Sequence, residues 1–138
     1  LARLVKQMDI ASRYAENIIT FSYNHYYSPV YVDPMFHNTY VDYLKHDHVL
    51  ESEAPTVPTD LGFSVDGDGN TVLSWQASTD NFGVAYYRIC ADGKFLVRCE
   101  YNKDTATVIE NAQSGTVYSI TAYDAAGNAS QAAEITYQ

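Results

Sequence analysis

Hydrophobic and polar residues alternate with different periods in the two parts of this chain, and the change falls near residue 51. In the first part, apolar residues recur three and four positions apart over residues 1–15 and 33–45, which predicts two amphipathic helices. The short run at 18–22 is rich in β-branched and aromatic residues and predicts a buried strand. Residues 1–50 are therefore predicted to form a helix–strand–helix fragment of an α/β fold.

The second part has the period of β-strands. Apolar and polar side chains alternate in short runs, and Gly, Asp and Asn residues that favour turns separate these runs. Asp92-Gly93 stands between two such runs and predicts a tight hairpin. About seven short strands with regular turn signals are typical of a β-sandwich. The predicted strands cover residues 61–65, 71–75, 84–91, 94–99, 106–109, 116–123 and 129–137.

Residues 51–58 connect the two parts. The two prolines of this segment, Pro55 and Pro58, and its acidic residues favour an extended, semi-rigid linker. We therefore predict an α/β fragment over 1–50, a linker, and a sandwich domain over 59–138. One strand cannot form a sheet, so the fragment lacks its partners, and we expect the chain to be a piece of a longer protein.

The charge of the chain limits its partners. Apolar residues make up 46% of the chain and charged residues 18%, as in globular proteins, and the formal net charge is −9. Both parts are acidic and neither contains a basic stripe, so we exclude nucleic acid and anionic membrane surfaces as partners. No apolar run reaches the roughly 18 residues of a membrane span.

Cys90 and Cys99 lie on the two strands of the predicted Asp-Gly hairpin. A regular two-residue turn places Cys90 opposite Phe95 and Cys99 opposite Tyr86. The two sulfurs are then about 13 Å apart along the strands, too far for a disulfide. We expect two free thiols, so the cysteines do not indicate the cellular compartment.

Three stretches of the second part resemble bacterial fibronectin type III domains: the Pro-rich segment 54–61, LSWQASTDNFGVAYYRICADGKF at 73–95 and SGTVYSITAYDAAGN at 114–128. The resemblance extends from about residue 54 to the end of the chain. It implies a mainly β protein with a seven-stranded, immunoglobulin-like sandwich. Four residues match structural core positions of the family: Trp75, Tyr87, Ile89 and Tyr118, the last at the tyrosine corner.

The first part resembles the last strand and helix of a (β/α)8 barrel, in a family of uncharacterised bacterial domains related to glycoside hydrolases. The stretches AENIITFSYNHYYSP at 15–29 and DPMFHNTYVDYLK at 33–45 carry this resemblance. Strand C-termini build the active face of such barrels. Four residues after the predicted strand would contact substrate in an intact parent protein, or alternatively close the barrel rim: Asn24, His25, Tyr26 and Tyr27. The fragment lacks a complete pocket and a carboxylate pair, so we expect no catalysis from it.

Two motifs resemble metal sites but lack the ligands or the spacing that such sites require. The DGDGN stretch at 66–70 begins like a calcium loop, but Thr71 and Ala77 replace the Gly and the bidentate Glu that the loop requires, which favours a plain turn. His46 and His48, with a third histidine earlier on the helix, have a poor spacing for zinc, and the helix dipole favours histidines at a C-terminus. We predict no metal and no cofactor.

Two further groups of residues have alternative interpretations. The aromatic residues between 21 and 43 form either a sugar-binding surface or, as we favour, the packing surface for absent barrel strands. Such apolar surface requires cover, so we expect residues 1–50 to be partly disordered or to self-associate. Two sandwich loops contain residues that bind a ligand or, as we favour, form turns: Asp80, Asn81, Asp124 and Asn128.

Three functional hypotheses follow. The first is a non-catalytic spacer or accessory module after a glycoside-hydrolase-like barrel, in a secreted or surface-attached bacterial protein. The second is a carbohydrate-binding or protein-interaction module. A flat row of exposed Trp or Tyr would favour the second, but Trp75 is expected to be buried and strand parity points most tyrosines of the sandwich inward. The third is an enzyme, which applies only to the parent protein.

Overall fold

Two helices and seven strands form within residues 1–14, 34–100 and 105–138, which are the residues that the computed structural model describes. The predicted strand at 18–22 lies outside these residues. By its internal contacts the chain separates into two units. One comprises Leu1–Glu53 with Ala125–Gly127, and the other comprises Ala54–Asp124 with Asn128–Gln138.

The first unit contains the helices α1, Ala2–Ser12, and α2, Pro34–Lys45. The buried residues of α2 recur every fourth position at Met35, Thr39 and Tyr43, which places them on one face of the helix. The Thr39 hydroxyl donates a hydrogen bond to the Met35 carbonyl at 2.8 Å, so this hydroxyl is satisfied inside the helix although it is buried.

The second unit is built from two antiparallel sheets. The strands follow the sequence pattern closely, because each apolar run ends at a Gly, Asp or Asn turn. One sheet has the order β1-β2-β5 and the other β4-β3-β6-β7, which is a fibronectin type III-like sandwich and confirms the predicted fold of this part. The strands are β1 Thr59–Val65, β2 Thr71–Gln76, β3 Val84–Ala91, β4 Lys94–Glu100, β5 Ala106–Ile109, β6 Val117–Asp124 and β7 Ala133–Thr136.

The core of the sandwich lies between the two sheets. Alternate side chains of β2, β3 and β6 point into it, as the two-residue period of a strand requires. Burying each large apolar side chain contributes roughly 1.5–3 kcal/mol relative to exposure. Four residues that the sequence analysis expects in the core are at most 4% exposed: Trp75, Tyr87, Ile89 and Tyr118.

The segment before β1 is fixed to the second unit. Pro55 and Pro58 are buried, and Pro58 is almost completely so. The Thr56 amide donates to the Thr79 carbonyl at 2.9 Å, and the Thr79 amide donates to the Thr56 hydroxyl at 2.8 Å. The last residues of the predicted linker are therefore held by two hydrogen bonds and by apolar burial.

The β3–β4 hairpin differs from the predicted register. The Asp92-Gly93 turn has positive φ at both residues, 46° and 75°, as a type I′ turn requires, and pairs Cys90 with Phe95. Beyond that pair the register shifts, because Leu96 is an extra residue on β4. Cys99 consequently lies opposite Tyr87, and the prediction that it faces Tyr86 is wrong.

The bulge keeps the charged side chain of Arg98 out of the core. A regular hairpin would place Arg98 opposite the fully buried Tyr87, and so on the core face. With one extra residue, Val97 and Cys99 face the core and Arg98 faces solvent. Both cysteines are free thiols, with Cys99 in the core and Cys90 on the outer face of the sheet.

Candidate functional site

The outer face of the β4-β3-β6-β7 sheet carries the most chemically varied group of side chains in the second unit. On β3, Tyr86, Arg88 and Cys90 point outward because they alternate with the buried Tyr87 and Ile89. The neighbouring strands contribute the outward-facing residues Phe95, Arg98, Glu100, Thr121 and Tyr123.

Two tyrosines and an arginine stack across three adjacent strands of this face. The Tyr86 and Tyr123 ring centroids are 4.8 Å apart, and their planes are within 4° of parallel. The Arg98 guanidinium carbon lies 3.9 Å from the Tyr86 ring centroid. Because β4 and β6 flank β3 on opposite sides, both faces of the Tyr86 ring are covered. Partial burial raises the pKa of Tyr86, and the neighbouring Tyr123 adds to this rise.

Two tyrosines of the sandwich thus face outward, but they do not form a flat row on which a sugar could bind. Tyr86 and Tyr123 face outward, whereas Tyr87 and Tyr118 face the core. The spacing between the rings equals the spacing between strands, so the rings stand upright on the sheet and stack on each other. A sugar ring stacks on an open aromatic face, and Tyr86 offers only its edge and its hydroxyl.

Phe95 is the most exposed aromatic side chain of this face. It is 60% exposed, and the Arg88 guanidinium carbon lies 5.7 Å from its ring centroid. Arg88 is also directly opposite Arg98 in the β3–β4 register. A hydrogen bond between the Arg88 and Tyr123 side chains raises the pKa of Arg88, which therefore stays charged. Glu100 pairs with Arg98, with a Nε–Oε1 distance of 3.1 Å.

Basic residues of the second part are concentrated near this hairpin. Residues 55–138 contain ten Asp and Glu spread along the chain, but the four Lys and Arg all fall between positions 88 and 103. They are Arg88, Lys94, Arg98 and Lys103, of which the last lies outside the described residues. This concentration is visible in the sequence as positions, whereas the net charge of the segment is negative and conceals it.

The Asp66–Asn70 loop is closed by hydrogen bonds to its own first residue. The Asp66 carboxylate accepts from the Asp68 amide at 3.0 Å, and from the Asn70 amide and side chain at 2.8 and 3.0 Å. The bonds from Asn70 are the main cause of the lowered pKa of Asp66. This carboxylate is engaged inside its turn, as the turn interpretation predicts.

Two other loop carboxylates are also engaged locally. Asp80 accepts from the Phe82 and Gly83 amides at 3.0 and 2.9 Å. Asp124, which is almost fully buried, accepts from the amide and the side chain of Asn128 at 2.8 and 2.7 Å. The Asp80 loop is an Asx turn, because its carboxylate accepts from the amide two residues on, whereas Asp124 closes a wider turn through the amide four residues on.

Other predicted site residues are dispersed or lie outside the described segments. Asn24, His25, Tyr26 and Tyr27 fall between residues 15 and 33, which the structure does not describe. Within 1–14, 34–100 and 105–138, no three His, Cys, Asp or Glu side chains are grouped to hold a metal ion. No helix in these same ranges is long and apolar enough to cross a membrane.

Comparison with known proteins gives relatives for part of the chain. No family model matches it. It is 38% identical over 84 residues to chitinase Chi52 of Paenibacillus xylanexedens, and 37% identical over 84 residues to an α-amylase of Niallia circulans. Each match covers 59% of this chain but only 16% of the chitinase and 6% of the amylase. The chain is therefore similar to a small segment of each enzyme.

Solved structures give a similar result. Chitinase ChiA74 from Bacillus thuringiensis matches 75% of this chain with 28% identity and a TM-score of 0.51, over 17% of its own length. The spore cortex lytic enzyme SleM of Clostridium perfringens matches 67% of this chain with 20% identity and a TM-score of 0.52, over 30% of its length. At that identity the second match shows the fold alone.

Proposed function

We propose that this chain is a non-catalytic accessory module, acting as a spacer, of a secreted or surface-attached bacterial glycan-active protein. The observation that carries the proposal is the similarity of one segment to parts of both a chitinase and an α-amylase. These names denote enzymes for different polysaccharides. A segment shared by both is better suited to holding or presenting a catalytic domain than to chemistry specific for one substrate.

The local structure of the second unit supports a spacer. The segment before β1 is held by Pro55, Pro58 and the Thr56–Thr79 hydrogen bonds, so the chain enters the sandwich through a fixed path. A stiff connection transmits orientation, whereas a flexible one does not. Glycoside hydrolysis ordinarily needs a pair of carboxyl groups beside the scissile bond. Asp66, Asp80 and Asp124 are instead engaged in their own turns.

The proposal is tested by measuring hydrolysis and by adding the chain to an enzyme. We expect the chain alone to release no reducing sugar from chitin or starch above a heat-denatured control. When it is fused after a chitinase catalytic domain, we expect faster hydrolysis of insoluble chitin and an unchanged rate on soluble chito-oligosaccharides. Hydrolysis by the chain alone would contradict the non-catalytic role, and an equal effect on both substrates would contradict the spacer role.

Residues of the first part would contact substrate only in an intact parent protein. There, the four residues after the predicted barrel strand would extend from the active face, with tyrosine rings stacking on sugar and the amide or imidazole bonding hydroxyls. These residues are Asn24, His25, Tyr26 and Tyr27.

A further inference from the structure

The cationic hairpin face, defined as the outward side chains of Arg88, Phe95 and Arg98, carries two positive charges side by side. Arg88 and Arg98 are directly opposite each other on β3 and β4. Like charges in directly opposite positions destabilise a strand pair. Glu100 pairs with Arg98, which leaves the face with more positive than negative groups in a chain of net charge −9.

The two arginines are not equivalent as anion donors. Arg98 lies over the Tyr86 ring and pairs with Glu100, so its guanidinium is held on two sides. Arg88 is exposed and contacts neutral groups: the Tyr123 and Cys90 side chains by hydrogen bonds and the Phe95 ring at 5.7 Å, so no carboxylate of its own pairs with it in these contacts. A planar guanidinium that is always charged binds a carboxylate with two parallel hydrogen bonds. Arg88 is therefore the main donor for an incoming carboxylate.

Phe95 adds a second kind of recognition beside this donor. Its ring is 60% exposed and lies on β4, an edge strand of the four-stranded sheet. An exposed aromatic ring stacks on the apolar face of a pyranose. A single sugar unit that carries a carboxylate can thus contact the ring and the guanidinium together.

We propose that the cationic hairpin face binds a polysaccharide that carries carboxylate groups, with a pyranose ring on Phe95 and its carboxylate on Arg88. This inference rests on the accessory role proposed above, because it assumes that the chain works next to glycans. The limited size of the face and the acidic remainder of the chain favour separate carboxylates on a flexible polymer over a densely charged nucleic acid.

The test is titration calorimetry of the whole 138-residue chain with three polymers at low salt. Polygalacturonate presents pyranose rings with carboxylates, fully methyl-esterified pectin presents the same rings without charge, and poly-L-glutamate presents carboxylates without rings. We expect binding to polygalacturonate that is about tenfold tighter than to either of the others, since each lacks one of the two contacts. Equal binding of all three polymers, or binding of none, would overturn the proposal.

Three variants locate the site. Arg88→Gln and Phe95→Thr should each weaken binding to polygalacturonate about tenfold. Arg3→Gln removes the same charge from an exposed position of α1 and should leave binding unchanged. Thermal unfolding of each variant verifies the fold. If Arg3→Gln weakened binding as much as Arg88→Gln, net charge and not this face would be responsible. A negative result here leaves the spacer test untouched, because that test measures hydrolysis in a fusion.

Discussion

Tyr86 and Tyr87 are adjacent in sequence and lie on opposite faces of the same sheet. The Tyr87 hydroxyl accepts a hydrogen bond from the buried Ser78 amide at 2.8 Å, and its ring packs edge-on against Trp75 with centroids 5.3 Å apart. Tyr86 is partly exposed and stacks on Tyr123. The same residue type therefore fixes a loop on the inner face and binds a neighbouring strand on the outer face.

This difference predicts unequal effects of the same substitution. Tyr87→Phe leaves the buried Ser78 amide without its acceptor and should lower the free energy of unfolding by about 1–3 kcal/mol. Tyr86→Phe is the matched control on the outer face and should change it by less than about 0.5 kcal/mol. Urea unfolding measures both. Equal losses would show that the Tyr87 hydroxyl contributes nothing specific.

At the scale of the element, the Leu96 bulge determines which residues of β4 reach the core. Deleting Leu96 removes only the extra residue, so Val97 stays opposite Ile89 and Arg98 stays opposite Arg88, on the outer face of a now regular hairpin. Because the deletion buries no charge and keeps Val97 and Cys99 in the core, we expect it to change the free energy of unfolding by less than about 1 kcal/mol.

Leu96→Thr is the control for this deletion. It keeps the length of β4 and changes only a side chain that is already 44% exposed. We expect a loss of less than about 1 kcal/mol in the same urea measurement. A loss of about 3 kcal/mol or more for the deletion alone would show that the bulge itself stabilises the hairpin, and not only the facing of Arg98.

The strands were largely predictable from the sequence, whereas this register was not. Alternation and turn residues predict β3 as 84–91 and β5 as 106–109, which are the observed bounds. The Asp92-Gly93 turn fits both registers equally well, so local pattern cannot distinguish them. The register is determined by whether Val97 or Arg98 packs against the opposite sheet, and this packing is a tertiary effect.

The candidate site was less predictable than the fold. The outward position of Tyr86 follows from the burial of Tyr87, because consecutive strand residues alternate. The contact between Arg98 and Tyr86 depends on the bulge and was therefore missed. The outer face is created only by the pairing of β3 with β4 and β6, so no single stretch of sequence carries it as a motif.

For the whole molecule, the aromatic residues between 21 and 43, apart from the buried Tyr43, predict self-association. Exposed apolar surface is favourably buried against a second copy of the chain. In sedimentation velocity, we expect a dimer whose fraction rises with concentration, or else a monomer with fast amide exchange in residues 1–50. A monomer in which this segment is both slow to exchange and solvated would contradict the prediction.

The bulge also affects what happens when several copies of the chain meet. β4 is an edge strand, and its outer backbone groups can pair with a strand from another molecule. Leu96 breaks the regular spacing of those groups, and Lys94, Arg98 and Glu100 add charges along the same edge. A strand from another molecule therefore cannot pair with β4 over a long, regular stretch. The residue that keeps Arg98 out of the core also protects the domain from edge-to-edge aggregation.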